Sequence, residues 1–396
     1  MNKNVLLLSL CQALLTTGNV ILITVSALIG QRLAPSTELI TLPLALQFVG
    51  LMLSTIPASL IMRRIGRQQG FVLGNCIGIA GSLSCATALL NQNFTLFCMG
   101  SMLLGIGIGF GTLYRFAAVD VSNPGQQGRA ISLVMAGGVI AAVLGPNLAV
   151  SSNQWFSAAP FIGSFYTLAA LYMLTLVFLS QVRIPRLSPD QQKETGRPIG
   201  DIIRQPLFFV AVLSATLAYS VMNLLMSATP LAMARCGFSF EQSARVIEWH
   251  VLGMFLPSFF TGHLIQKWGA PRVILSGSIL MLLCCAINLG GQQEWQFWSA
   301  LTLLGVGWNF MFIGATQMVT GAYSEQEKAK SQATNEFIVF SGVTLSSFSS
   351  GPLESILGWT TMNQIAIPLI ALVIVAIFFL LRTERSRQTS QQGNIN

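Results

Sequence analysis

The sequence predicts an all-α membrane protein: twelve transmembrane helices in two pseudo-symmetric six-helix bundles. Three observations predict it. Only 9% of the 396 residues are charged while 53% are hydrophobic, against about 25% charged in soluble domains, and the mean hydropathy is +0.67. Apolar stretches of about 20 residues, the length a helix needs to cross a bilayer, recur along the whole chain. The order of glycine and polar positions in the first half is repeated in the second. The period is helical and lacks the alternating ten-residue segments of a membrane barrel.

Taken in order, the expected spans of the first half are 5–29, 40–62, 70–90, 95–120, 130–150 and 158–180. Those of the second half are 206–232, 244–266, 272–290, 296–320, 332–352 and 361–381. The first run is too long for a signal-peptide core and lacks an A-x-A cleavage pattern, so it is expected to be retained. The organisation is a bundle over 1–180, a linker over 181–205, a second bundle over 206–381 and a tail over 382–396, which is polar and expected to be disordered.

The net charge of +8 sits in short loops, where basic residues act as topology signals and imply no nucleic-acid partner. With both termini in the cytoplasm, 17 of the 21 Lys and Arg lie inside: Lys3, Arg63, Arg64, Arg67, Arg129, Arg183, Arg186, Lys193, Arg197, Arg204, Lys267, Arg272, Lys328, Lys330, Arg382, Arg385 and Arg387. Arg32, Arg235 and Arg245 fall outside, and Arg115 falls within a span. Six of the seven cysteines lie in apolar spans and none forms a CxxC or Cys/His pattern, so no metal site, disulfide or cofactor is expected.

The second span and its loop read LALQFVGLMLSTIPASLIMRRIGRQQGFVLG; the eighth reads VIEWHVLGMFLPSFFTGHLIQKWGAPRVILSG. At an offset of 203, Gly50 meets Gly253, Gly66 meets Gly269, Gly74 meets Gly277 and Gln47 meets His250. LLGIGIGFG in span four is echoed at offset 200 by LLGVGWNFM in span ten, and Gly145-Pro146 by Gly351-Pro352. Single glycine coincidences reflect close helix packing. Their repeated order is the mark of a duplicated six-helix unit, a signature of secondary transporters with the solute site between the halves.

The loop from Ser59 to Gln68 resembles the G-x-L-x-D-R-x-G-R-R pattern of the major facilitator superfamily. Arg64, Gly66 and Arg67 match, while Ser59 and Arg63 replace the first glycine and the acid. Its second copy keeps Gly262, Lys267 and Gly269 but has Gln266 for the acid. The resemblance covers all twelve spans and implies a transporter whose halves latch on the cytoplasmic side, here through other charges. The fifth-span G-x-x-x-G-P-x-x-G element of drug/proton antiporters is partly matched at Gly145 and Pro146, but Ala149 replaces the last glycine and Ser101 an expected arginine. These departures weigh against proton-antiport drug efflux. RFAAVDV, RAISLVMAGGVIAAVLGP and ATNEFIVFSG resemble a bacterial branch with members that take up vitamin-like molecules such as riboflavin.

Polar stripes supply the candidate cavity. Gln12, Thr16 and Asn19 share one face of span one; Thr216, Ser220, Asn223 and Ser227 share one face of span seven, beside Tyr219. Trp308, Asn309, Phe312 and Thr316 of span ten add an indole and an amide suited to a planar solute, or else a packed aromatic core. Interhelical hydrogen bonding is the alternative for each stripe. Charges inside a span need a reason. Arg115 and Asp120, five residues apart and so about 140° around one helix, are poor partners for each other. Arg115 or Arg63 is expected to pair with Glu336 across a cytoplasmic gate, with snorkelling as the alternative. Glu248 and His250 are candidates for proton coupling; Glu248 could instead pair with Arg245 three residues away.

The chain contains no G-x-x-x-x-G-K-[ST] loop for a nucleotide and no cluster of carboxylates or histidines, so ATP-driven transport and membrane-enzyme chemistry are not expected. The expected function is secondary transport of a small organic solute by a lipid-embedded monomer of the bacterial inner membrane. Import, export and proton coupling are left open, and a non-transporting sensor or scaffold is the remote alternative.

Overall fold

The computed structural model describes residues 3–122, 127–153, 155–156, 160–184, 196–324 and 326–393. Arg186 and Lys193 lie outside the described residues, as do the side chains of Arg63, Arg129, Lys328, Arg385 and Arg387. The described chain is helical throughout. The first half runs α1 (Lys3–Leu33), α2 (Leu42–Ile65), α3 (Arg67–Leu90), α4 (Phe94–Gly111), α5 (Tyr114–Asp120), α6 (Gln127–Ser152) and α7 (Ile162–Gln181). After a short α8 (Ile199–Ile203) come α9 (Pro206–Arg235), α10 (Phe240–Phe255), α11 (Ser258–Trp268), α12 (Ala270–Leu289), α13 (Glu294–Thr320) and α14 (Lys328–Gly393).

Among the described residues, ten helices are long and apolar enough to cross a membrane; the broken α10–α11 pair and the two arms of α14, which bends at Gly358 (φ 78°), bring the spans to twelve. The protein is an integral, multi-pass membrane protein. Three expectations are corrected. Span four breaks after Gly111, where the glycine-rich run offers little side-chain packing to keep the helix straight. Span eight breaks at Pro257, which lacks the N–H for an i−4 bond. The tail is not irregular as far as Gly393: α14 continues through it, because extending an existing helix avoids the nucleation cost. Turn chemistry sets other boundaries. Ser239 and Gln242 form a capping box at α10, and Gly66 and Gly269 hold φ of 96° and 82° at the two sharp loops, a region open mainly to glycine.

The sequence repeat is a repeat of contacts. In the first half α1 packs on α6, α3 on α7, and both α2 and α3 on α4; in the second, α9 packs on α14, α12 on α14, and both α10 and α12 on α13. A Cβ added to Gly105 of α4 would fall on the carbonyl of Gln47, and one on Gly305 of α13 on the carbonyl of His250. Gly50 lies against the Met102 carbonyl as Gly253 lies against that of Thr302, and Gly74 against Gly107 as Gly277 against Gly307. These crossings bring backbone onto backbone, as small residues allow in lipid.

The halves meet where α2 faces α14, α6 faces α10 and α1 faces α9. At the end away from the basic loops, Thr41 Oγ1 accepts the Gly351 N–H at 3.1 Å and donates to the Ser347 carbonyl at 3.3 Å. Phe161 meets Phe240 edge-on at 5.5 Å, and Ala27, Ile40 and Leu231 form a small apolar plug. Midway, Phe255 lies against Gly138.

The returning end of the linker is clamped to the second half at the basic end. Glu327 takes two 2.7 Å bonds from Arg197, from Nε and Nη2, and accepts the backbone N–H groups of Arg197 and Ser324. Lys330 donates to the Arg197 carbonyl. The guanidinium beside it holds the Glu327 carboxyl well below the usual carboxylate range, so this contribution is fully present above the unfolded value of about 4.3 and is lost as pH falls toward the folded one. Arg197→Ala should therefore lower the melting temperature in detergent at pH 7, by an amount limited by screening at a half-exposed arginine. The gap between the two melting curves should begin to narrow once the pH falls below about 4.3 and should keep narrowing as the pH drops toward the folded value.

Candidate functional site

On α1 the first stripe sits where the sequence places it. Gln12, Thr16 and Asn19 are half-buried between fully buried neighbours. Gln12 Nε2 donates to Thr16 Oγ1 at 3.0 Å, and Asn19 Oδ1 accepts from Gln47 Nε2 of α2 at 2.6 Å. Gln47 is fully buried and its Oε1 has no partner.

The second stripe turns differently. Asn223 is fully buried, and its amide donates to Ser346 Oγ at 3.0 Å and to the Val343 carbonyl, so it bonds to α14 of its own half. Ser227 leans back on Asn223. Thr216 and Ser220 lie beside Gly342 of α14, and neither hydroxyl has a partner. Asn309 also has a different place: it donates to the Met254 carbonyl at 2.6 Å and to Ser258 Oγ at 2.7 Å, and accepts from Thr261 at 2.7 Å. It stitches the α10–α11 break, where Pro257 disrupts the helical bonding. Thr316 is exposed and donates to the Phe312 carbonyl.

The aromatic members converge. Trp308 stacks on Phe312 with ring centroids 4.9 Å apart and planes 11° from parallel. Tyr219 of α9 meets Trp308 edge-on at 5.2 Å and Phe312 at 5.5 Å, with Phe340 of α14 at 5.8 Å. Phe255 closes the group 6.4 Å from Trp308 and is itself the residue that touches Gly138 of the other half. The box therefore borders the seam between halves. Trp308 is 4% exposed, yet its Nε1 has no partner. The sequence reading missed Phe255 and Phe340 because each lies in an apolar run with nothing to distinguish it from core.

The ion pairs are laid out beneath. Arg115 Nη2 of α5 is 2.9 Å from Glu336 Oε1 of α14, with side chains 22% and 17% exposed; this contact joins the halves. Tyr219 lies within electrostatic reach of both charges, which places the box next to the pair. The Arg63 side chain lies outside the described residues. Asp120 pairs with Arg67 at 3.0 Å, a contact within the first half that fastens the Gly66 loop to α5. Arg64 and Lys267 are exposed, as is Gly262, which has nothing within 4 Å of its Cβ direction.

Glu248 faces Asn147 of α6 and is not paired with Arg245, which reaches Glu294 at 3.6 Å. His250 is fully buried; its Nδ1 meets the Leu301 carbonyl at 2.8 Å, and Nε2 has no partner. Trp249, Trp295 and Trp298 line a separate groove with Arg245 and Glu294, as aromatic side chains do at a membrane interface.

Comparison with known proteins gives a consistent result. A sequence profile of the Major Facilitator Superfamily matches residues 8–248 and 217–395. The riboflavin transporter RfnT of Brucella anthropi is 39% identical over 382 residues, 96% of each chain. The uncharacterized MFS-type transporter YdeG of Bacillus subtilis is 28% identical, covering 85% of this chain and 81% of its own. Among solved structures, the fucose:proton symporter FucP of E. coli superposes with a TM-score of 0.66 at 17% identity, over 94% of this chain and 97% of its own. FucP in its outward conformation gives a TM-score of 0.67 at 15% identity with the same coverage.

Proposed function

The chain belongs to the Major Facilitator Superfamily and is a secondary transporter, and from that premise we propose that it carries riboflavin or a closely related planar heteroaromatic solute. The observation that carries the reading is the box of Tyr219, Trp308, Phe312 and Phe340 at the seam of the halves. Stacked and edge-on rings suit a flat aromatic guest, and the relative identical at 39% of positions is a riboflavin transporter. Gln12, Thr16 and Asn19 supply the polar wall on the opposite half.

In this reading the protein is a monomer of the inner membrane with both termini cytoplasmic, as the lopsided basic count supports. The halves, 1–180 and 206–381, rock about the seam, and Arg115–Glu336 latches the cytoplasmic end. Glu248 and His250 remain candidates for coupling to protons.

Reconstituted into proteoliposomes, the protein should accumulate labelled riboflavin, and imposing or collapsing a pH gradient will show whether protons drive it. Tyr219→Ala, which removes the ring at the centre of the box, should cut flux about two- to tenfold, since losing an aromatic contact costs about 0.5–1.5 kcal/mol beyond its buried area. Absence of riboflavin flux in either direction across the vesicle would overturn the proposal.

A further inference from the structure

Two neighbouring helices, α10 and α13, begin at the end away from the basic loops and carry matching residues at matching heights. Arg245 of α10 approaches Glu294 of α13 at 3.6 Å. One turn further in, Trp249 meets Trp298 edge-on at 5.3 Å. In each helix the charge and the indole are four residues apart, on one face and about 6 Å along the axis. With Val246, Gln293 and Trp295 they line a groove of about 510 Å³, a volume typical of small-molecule sites. The three indoles are exposed, as is Leu256, seven residues beyond Trp249; on a membrane helix such a face looks onto lipid.

The charged rung has capacity for a guest. At 3.6 Å the Arg245–Glu294 contact is longer than a hydrogen bond, so neither group's bonding is spent on the other. Gln242 Nε2 donates to Glu294 Oε2 at 2.7 Å, which fixes the carboxylate and leaves Oε1 on the Arg245 side. Glu241, one turn before Arg245 and within electrostatic reach of it, gives the rim two carboxylates to one guanidinium. An anion meets an excess of negative charge there, whereas a zwitterion finds a partner for each end.

We propose that this groove seats the headgroup of a zwitterionic phospholipid with a primary ammonium, of the phosphatidylethanolamine type. Arg245 takes the phosphodiester, which its guanidinium fork suits; Glu294 Oε1 accepts an ammonium N–H; Trp249 and Trp298 lie along the start of the acyl chains. Charge outermost and indole one turn deeper is the order of the lipid itself. The trimethylammonium of phosphatidylcholine is also attracted to indole faces but has no N–H to give, and phosphatidylglycerol has no cation. Glu294 therefore makes the choice among the three, which an aromatic belt alone would not.

The test is native mass spectrometry of the full chain in detergent, with an equimolar mixture of phosphatidylethanolamine, phosphatidylcholine and phosphatidylglycerol of identical acyl chains. Wild type should carry phosphatidylethanolamine over phosphatidylcholine by about three- to tenfold, the range of one hydrogen bond, and over phosphatidylglycerol by at least as much. Glu294→Gln should bring the first ratio toward one, and Arg245→Ala should lower the amount of both zwitterionic lipids. Glu38→Gln, at an exposed carboxylate of the same end, should leave the ratio at its wild-type value. Each ratio is read on folded, lipid-bearing protein, so a loss of yield does not imitate the effect. A wild-type ratio near one, or a ratio that Glu294→Gln leaves unchanged, overturns the inference, and riboflavin transport stands in either case. A dimer that Arg245→Ala abolishes would give the groove to a second copy of the chain and overturn it as well.

Discussion

Arg115→Glu alone and Glu336→Arg alone should each reduce transport at least about tenfold, and the two together should restore a substantial part of it. The pair spans the two halves at 2.9 Å with both side chains about four-fifths covered. Removing one partner of such a pair strands the other charge, at about 3–5 kcal/mol when fully buried, and a reversal adds like-charge repulsion. The doubly reversed protein regains a complementary pair with altered side-chain lengths, so rescue should be partial. Arg67 and Asp120 provide the control. They pair within one half, so Asp120→Arg should not be rescued by any change at Glu336. Solute uptake in vesicles reads all four proteins, and single losses without recovery in the double variant would remove Arg115–Glu336 from the gate.

Gly105→Val and Gly305→Val should abolish or sharply reduce the yield of folded protein, and Gly→Ala at either position should lower the melting temperature by several degrees. At both sites the new carbon would fall on a backbone carbonyl, of Gln47 in one half and His250 in the other. A backbone in a packed helix cannot rotate away as a side chain can, so α4 must part from α2, or α13 from α10. Overpacking a tight core costs about 1–3 kcal/mol and sometimes more. Gly262→Ala is the contrast. Its helical site is exposed and open, so alanine should gain up to about 1 kcal/mol from helix propensity alone. Thermal unfolding in detergent separates the cases.

The contrast between these residues shows what could be read beforehand. Spans and repeat were legible because they depend on local quantities, the length of apolar runs and the spacing of glycines, which the bilayer and backbone contact impose directly. That Gln12, Thr16 and Asn19 share one face of α1 follows from the same helical period. Periodicity names a shared face without naming the neighbour, which is why Asn223, in the same pattern, proves to be bonded to α14. Asn309 bonds across a break caused by Pro257 on another helix, a partner that no pattern in its own span announces. Phe255 and Phe340 carry no local signal: an aromatic that borders a solute and one that fills a core look alike until the helices are assembled.

Glu336 and Phe340 are four residues apart on α14, one turn or about 6 Å along its axis. One ends at the ion pair, the other at Tyr219. If the proposed box and gate are right, a guest that moved the Phe340 ring would press on the same turn of helix that carries the Glu336 bolt, so cargo and door would share one lever with no messenger between them.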